Sequence, residues 1–325
     1  MLIIRTPMRI SLVGGGTDLP FVYKEIGFGK VLSLSIQKYI YLGIHPLVED
    51  TDILIKYSKT EKVQKAENLK HPVAREVIKM FPLEGLDIFV TSDIPAGTGM
   101  GSSSSFTVGI LHLMCELTGK KYDRELLAKW ACEVEIDILR EPIGKQDQYI
   151  AAYGGVRSFT FYDNEQVVNK EFSHQMLLSK NFEEKIHLVR VGSKRDARDI
   201  LSAQRNDALH SVDKFKRYVE IRNLVSDAEV ALEKYNFEEL GKIITESWKI
   251  KKTFSRNISN PEVDKLISNG LSMGAWGAKL LGAGGAGYVM FLGEDSIGEQ
   301  LINKYGPRYL NVKVDYMGSC KIYED

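Results

Sequence analysis

Apolar positions alternate with polar ones through much of the first half of the chain and recur every three to four residues through much of the second. "RISLV", "VLSLSI", "YIYLGIHPL", "DILIKY" and "LDIFVTSDI" carry β-branched or aromatic residues, several in alternation, and are predicted strands. Two helices are predicted after them. "SSFTVGILHLMCELTG" is stopped by Gly119, and "DRELLAKWACEVEIDILR" is entered at Asp123 as N-cap and ends before Pro142. "GGVRSFTFYDN" reads as a strand and turn, and no strong period runs from Glu165 to Glu183. Long helices then follow in "DKFKRYVEIRNLVSDAEVALEKY", "FEELGKIITESWKIKKTF" and "PEVDKLISNGLSMG". Two strands, "AWGAKLLG" and "GYVMFLG", a helix around "SIGEQLINKYG" and a strand "LNVKVDYM" close the chain. The pattern predicts an α+β protein with a boundary near residue 170, dividing it into 1–170 and 171–325.

A length of 325 residues supports that division, since single cores seldom grow past about 250–300 residues. Lys and Arg balance Asp and Glu at 43 each, so no overall basic field points to nucleic acid or an anionic membrane. No apolar run approaches the roughly 20 residues that span a bilayer. The opening "MLIIRTPMRISLVGGG" has its charges inside the apolar run, unlike a signal peptide. Cys115, Cys132 and Cys320 are widely spaced with no CxxC, which suggests neither a disulfide framework nor a zinc knuckle and fits the cytoplasm. The six histidines have no HExxH spacing.

The candidate chemistry lies in three glycine clusters: "TPMRISLVGGGTDLP", "PAGTGMGSSSSF" and "KLLGAGGAGYVMF". A glycine run followed by a helix start exposes backbone N–H groups and suits an anion, although a Gly/Ser cluster is as often a turn with an N-cap. The third cluster contains GxGxxG from Gly282 to Gly287, but a strand follows it and no βαβ unit surrounds it, which argues against a dinucleotide site. Neither a Walker GxxxxGK[ST] nor the HRD and DFG signals of protein kinases occur. Between the second and third clusters, "CEVEIDILREPIGKQDQYIAAYGG" sets Glu135 and Asp147 on either side of a Pro-Ile-Gly break. Two separately mounted carboxylates suit phosphoryl transfer, one for Mg²⁺ and one for the acceptor proton; solvated helix acids are the commoner alternative.

Taken together, these motifs resemble the GHMP kinases, a family of small-molecule kinases. The second cluster is similar to the family's PxxxGLGSSAA phosphate loop, the third to its GAGGGG loop, and "TPMRISLVGGGTD" to its N-terminal motif, in matching order over nearly the full length. "GGGTD", "GKQDQY" and "GSKRDARDILSAQ" look most like the heptose 7-phosphate kinases of that family, with the fucokinases nearby. The resemblance implies an N-terminal ribosomal-protein-S5-like domain, a C-terminal ferredoxin-like domain and a site in the cleft between them. It further implies transfer from ATP, with Mg²⁺, to the anomeric hydroxyl of a heptose 7-phosphate.

By the same resemblance Pro95, Gly97, Gly99, Gly101, Ser102, Ser103 and Ser104 hold the triphosphate, Ser103 and Glu135 ligate Mg²⁺, and Asp147 is the catalytic aspartate. Arg9 stabilises charge near the acceptor and the transferring group. Gly15, Gly16, Thr17, Asp18, Gln146, Gly284 and Gly285 fall at substrate positions. Arg195, in "VGSKRDA", is expected to grip the 7-phosphate, with a solvated helix-start charge as the alternative. Two departures stand out: "GMGSSSS" supplies Ser104 and Ser105 as competitors to Ser103, and Ala286 replaces a usual glycine, so it should sit at negative φ or the loop shape differs. The rival readings are a kinase of free fucose, mannose or galactose, and a non-catalytic sensor that would not need Asp147, Glu135 and Arg9 together. The expected partner is a small sugar phosphate; helical faces in the C-terminal half could also pack a homodimer, though such faces are more often core.

Overall fold

The computed structural model describes residues 1–47, 50–81, 83–192, 212–255 and 257–325. Strands are β1 Leu2–Val13, β2 Phe28–Pro46, β3 Ile53–Lys56, β4 Thr60–Val63, β5 Leu86–Ser92, β6 Val156–Tyr162, β7 Val167–Glu171, β8 Ile186–Val191, β9 Gly277–Leu280, β10 Gly287–Leu292, β11 Tyr309–Asn311 and β12 Cys320–Glu324. Helices are α1 Pro20–Tyr23, α2 Pro72–Lys79, α3 Ser102–Thr118, α4 Arg124–Cys132, α5 Gln146–Tyr153, α6 His174–Ser179, α7 Val212–Glu233, α8 Phe237–Lys252, α9 Pro261–Ser272 and α10 Asp295–Tyr305.

The first sheet runs β12-β1-β2-β5-β3-β4, with β6 and β7 branching from β2. "VLSLSI" and "YIYLGIHPL", which read as two strands, form one strand of 19 residues. The polar pair Gln37–Lys38 between them is absorbed by a register shift opposite Pro7 and Met8 of β1. Pro7 lacks an N–H for the ladder, which suits it to such an irregularity. β1 is buried along almost its whole length, since α3 and α5 cover it; α3 is itself buried from Ser104 to Cys115 and has apolar residues all round.

The second sheet has the order β11-β8-β10-β9 and is antiparallel throughout. Numbered along the chain, its strands lie 4-1-3-2 with a helix between the third and fourth, as the ferredoxin-like expectation requires, and α7, α8 and α9 fill the first crossover. The closing strand expected over "LNVKVDYM" is cut to Tyr309–Asn311, because the chain then leaves this sheet, bridges Val314 to Ile36 and adds β12 to β1. Glu165 to Glu183, which shows no period, contains β7 and α6. Both are short and largely exposed, so neither builds an apolar face that a sequence would display.

In the second half, α8 lies on β9 through two facing glycines. A Cβ on Gly277 would fall 1.9 Å from the Gly241 carbonyl oxygen, and one on Gly241 would fall 2.7 Å from the backbone of Trp276. Gly277→Ala is therefore expected to push α8 off the sheet and cost about 1–3 kcal/mol, read as a lower urea midpoint at unchanged slope.

Candidate active site

The phosphate-loop segment leads into α3 through alternating left-handed residues: Gly97, Gly99 and Gly101 have φ of 80°, 79° and 74°. Such alternation turns successive N–H groups toward one concavity. Gly101 caps α3 without any side chain bonding the first turn, so the helix starts with free N–H groups and its positive dipole end toward that concavity. The third glycine cluster backs the loop at atomic contact. A Cβ on Gly99 would meet the Leu281 carbonyl at 2.6 Å, one on Gly282 the Gly99 Cα at 2.5 Å, and one on Gly287 the Thr98 carbonyl at 2.5 Å. Gly284 and Gly285 lie against Ile258, whose carbonyl accepts from Gly285 N at 2.9 Å. Ala286 is absent from the positive-φ residues, the first of the two outcomes expected of it.

Arg9 stands in the middle of β1 and is buried. Its Nε and Nη2 donate to the two carboxylate oxygens of Asp147, at 2.8 and 2.7 Å, and its Nη1 donates to the Gly99 carbonyl. Asp147 lies in the first turn of α5 and keeps partial exposure. Gly101 leaves the space this pair needs, since a Cβ there would fall 3.1 Å from Asp147 Oδ2 and 3.2 Å from Arg9 Cγ.

Glu135 enters from a segment that sequence periodicity read as ordinary helix. After α4, capped as expected by Asp123, the chain runs as a π-helix over Glu133–Ile138, a form common at functional sites, and Glu135 is buried. Its Oε1 accepts from Ser103 at 3.3 Å and Thr107 at 2.9 Å; its Oε2 accepts from Ser104 at 2.8 Å and Gln148 at 2.6 Å. Burial nevertheless pushes its carboxyl up to about 7, against the pull of those donors. Ser105 is committed to the Pro7 carbonyl at 2.8 Å, and Ser104 is buried, whereas Ser103 is exposed beside the carboxylate. The set is hard oxygen throughout, and the buried Gln148 Oε1 has no partner among the described residues. That donor chemistry fits Mg²⁺, which takes few protein ligands and completes its shell with water and phosphate. Among the described residues no cluster of three or more His, Cys, Asp or Glu forms a self-sufficient metal cage.

The loop after β1 is held by its own polar groups. Asp18 Oδ1 accepts from Gly16 N at 2.9 Å and its Oδ2 from Gln146 N at 3.1 Å, and burial raises its carboxyl above the usual range. Gly144 is obligatory here, because a Cβ would fall 2.0 Å from Asp18 Oδ2. The Thr17 hydroxyl is fully buried and spent on the backbone of Lys30, donating to its carbonyl at 2.8 Å and accepting from its N–H at 3.0 Å. Its contribution is thus to fix the loop. Gln146 Oε1 accepts from Ser11 at 3.2 Å, and Gln146 Nε2 is buried without a partner among the described residues.

Arg195 falls outside the described residues. The remaining expected residues gather around the glycine loops, Arg9 and Glu135, with Pro95 at the start of the phosphate-loop segment. Several neighbours were missed: Thr107, Gln148, Tyr218, Lys279 and Lys251. Lys251 sits in the run "KIKK" at a helix end, where charge normally faces water, and nothing in its spacing sets it apart.

Comparison with known proteins identifies the family. The GHMP kinases N terminal domain matches residues 66–155, and the GHMP kinases C terminal model matches 228–308. D-glycero-alpha-D-manno-heptose 7-phosphate kinase of Campylobacter jejuni is 27% identical over 299 residues, covering 88% of each chain. Galactokinase of Pyrococcus furiosus is 23% identical over 336 residues, covering 93% of each. Among solved structures, a D-glycero-D-manno-heptose 1-phosphate kinase from Bacteroides thetaiotaomicron superposes with a TM-score of 0.78 at 22% identity over 100% of both chains. Lactococcus lactis galactokinase with galactose superposes at 0.75 and 17% identity, over 99% of this chain and 94% of that one. With both halves matched in order and the phosphate-loop, Arg9–Asp147 and Glu135 groups converging, the chain belongs to the GHMP kinases and is a sugar kinase.

Proposed function

We propose that this kinase moves the γ-phosphoryl group of ATP to the anomeric hydroxyl of D-glycero-D-manno-heptose 7-phosphate, giving the 1,7-bisphosphate. The observation that carries the phosphoryl-transfer reading is the Asp147 carboxylate, gripped at both oxygens by Arg9 at the mouth of the glycine loop. The choice of acceptor is supported by the motif resemblance and by the Campylobacter jejuni relative, whose name carries that sugar phosphate.

In this reading the N–H groups of the loop and of the first turn of α3 receive the phosphates. Ser103 and Glu135 hold Mg²⁺, which when bound offsets charge on the phosphate oxygens. Each Asp147 oxygen accepts one bond from Arg9 and keeps a lone pair, so the carboxylate can orient and accept the proton of the sugar hydroxyl without turning away from Arg9. Arg9, always charged, then faces the negative charge that collects between acceptor and donor. The Gly15–Asp18 loop and Gln146 receive the sugar, and Arg195 clamps its distal phosphate.

Asp147→Asn should cut kcat by about 10²–10⁴-fold while ATP affinity, measured by calorimetry, stays within about threefold. Retained turnover would remove the assigned role. With heptose 7-phosphate, mannose, fucose and galactose compared in an ADP-release assay, the phosphorylated heptose should be preferred. Arg195→Ala should raise KM for that substrate by about 10–100-fold and leave KM for ATP unchanged, as expected for loss of a charged hydrogen bond. Preference for a free sugar would retain the kinase chemistry and discard the clamp.

Glu135 yields a stability prediction. A carboxyl raised to about 7 in the fold binds its proton more tightly than in the unfolded chain, so its contribution falls as pH rises from about 4.5 to about 7. At pH 8 without metal, Glu135→Gln should therefore be more stable than the parent by about 1–3 kcal/mol. Mg²⁺ with nucleotide should raise the parent's melting temperature more than the variant's. Equal responses of the two proteins to metal would remove Glu135 as a ligand.

A further inference from the structure

We infer that Lys251 is a further catalytic residue, an ammonium that the C-terminal half reaches into the sugar pocket to contact the acceptor's oxygens beside Gly15. The inference rests on reading the Gly15–Asp18 loop as the acceptor site. Lys251 lies in the last turn of α8, and its side chain leaves the surface charges of the same run: Lys249 pairs with Glu246 and Lys252 with Asp264, both in the open. Lys251 Nζ instead donates to the Gly282 carbonyl at 2.9 Å, on the loop that backs the phosphate loop. Among the described residues it makes no further hydrogen bond and has no carboxylate within ion-pair distance, so two of its three donors remain to be used.

The direction of those donors follows from what surrounds them. A Cβ placed on Gly15 would fall 3.0 Å from Ser11 Oγ, 3.6 Å from Gln146 Oε1 and 3.8 Å from Lys251 Nζ, so all three groups border the same small volume. Two further donors in this region are buried and, among the described residues, without partners: Gln146 Nε2, on the amide whose Oε1 borders Gly15, and the hydroxyl of Tyr218, whose ring carbon Cε1 lies 3.4 Å from a Cβ built on Gly16. Tyr218 is fixed on α7 by stacking against Phe254 at 4.2 Å between centroids. Three side chains on three helices around a glycine turn, each with donor capacity to spare, suit an oxygen-rich occupant, because a buried donor left unpaired costs about 1–3 kcal/mol. A polyhydroxylated sugar supplies such oxygens.

Desolvation lowers the Lys251 ammonium to about 8; Asp18 and Asp147 favour its charge and Arg9 opposes it. With Arg9 on the phosphoryl side and Lys251 on the sugar side, cations from the two halves of the chain bracket Asp147. Lys279, buried close by, is spent on the Leu12 carbonyl at 3.0 Å and holds β9 to the end of β1.

The test uses whichever sugar the parent enzyme phosphorylates, so it is independent of the heptose assignment. Lys251→Met keeps the length and removes the charge. It should lower kcat/KM for the sugar by about 10–100-fold, leave the calorimetric Kd for ATP within about threefold and not reduce the melting temperature; Lys251→Arg should recover part of the loss. A second readout avoids variants: at pH 8, acetylation of Lys251, followed by peptide mass spectrometry, should be slowed by the sugar alone. Unchanged sugar kinetics, an equal loss of ATP affinity, or labelling indifferent to the sugar would each overturn the assignment. A parent that prefers a free sugar while Lys251→Met still fails would overturn the heptose reading and leave this one standing.

Discussion

The guanidinium of Arg9 binds together segments that the sequence keeps far apart. One planar fork takes both oxygens of a carboxylate 138 residues away and a carbonyl of the glycine loop 90 residues away. Each contact needs the others. The strand must pass close to the loop, which Gly101 permits by having no Cβ where Arg9 and Asp147 lie. Helix α5 must start where its first turn meets the strand, and Asp18 arranges this by accepting from Gln146 N at the helix entrance. A lysine at position 9 would keep the charge but could not address two oxygens and a carbonyl in one plane. The pairing therefore fixes geometry first, and its electrostatic value depends on that geometry.

The glycines do a second job beyond exposing N–H groups. Gly99 and Gly282 approach with backbone against backbone, and Gly287 meets the Thr98 carbonyl in the same way. A side chain at any of them would separate the phosphate loop from the loop that follows β9. Lys279 ties the two halves together nearby, reaching from β9 to the Leu12 carbonyl, whereas the Lys251 bond to the Gly282 carbonyl stays within the C-terminal half. The two halves thus meet through carbonyls and glycine Cα atoms where side chains would be too bulky. That explains why two glycine clusters separated by most of the chain behave as one structural element.

Strand and helix identities were largely legible because they rest on local periodicity. The cap at Asp123, the stop at Gly119 and the hairpin of β9 and β10 all follow from residues within a few positions of one another. What escaped was set by distant contacts. No local signal marks the π-helical stretch over Glu133–Ile138, because its 6 residues are too few for a wider turn to show as a change of apolar period; within it Glu135 is buried and meets donors on α3. The terminal strand β12 is short and largely exposed, so only its pairing with β1 identifies it. Thr17 was legible as part of a motif but not in its orientation, which depends on Lys30 across the sheet. Lys251 was hidden among charged neighbours that do face water.

Glu135, Asp18 and Lys251 share a property that motif reading could not supply: the charged form of each is disfavoured by burial. A fold selected only for stability would replace a buried carboxylate with an amide or an apolar group, since partners within the chain do not repay its desolvation. Retaining all three makes sense if the missing compensation comes from outside, from a cation at Glu135, from sugar hydroxyls donating to Asp18 and from acceptor oxygens at Lys251. Dipoles and charges already fixed before the ligands arrive need little reorganisation when charge moves during transfer. On that reading the stability lost by holding them in the unliganded protein would be returned on binding, so affinity and instability at the site would have the same origin.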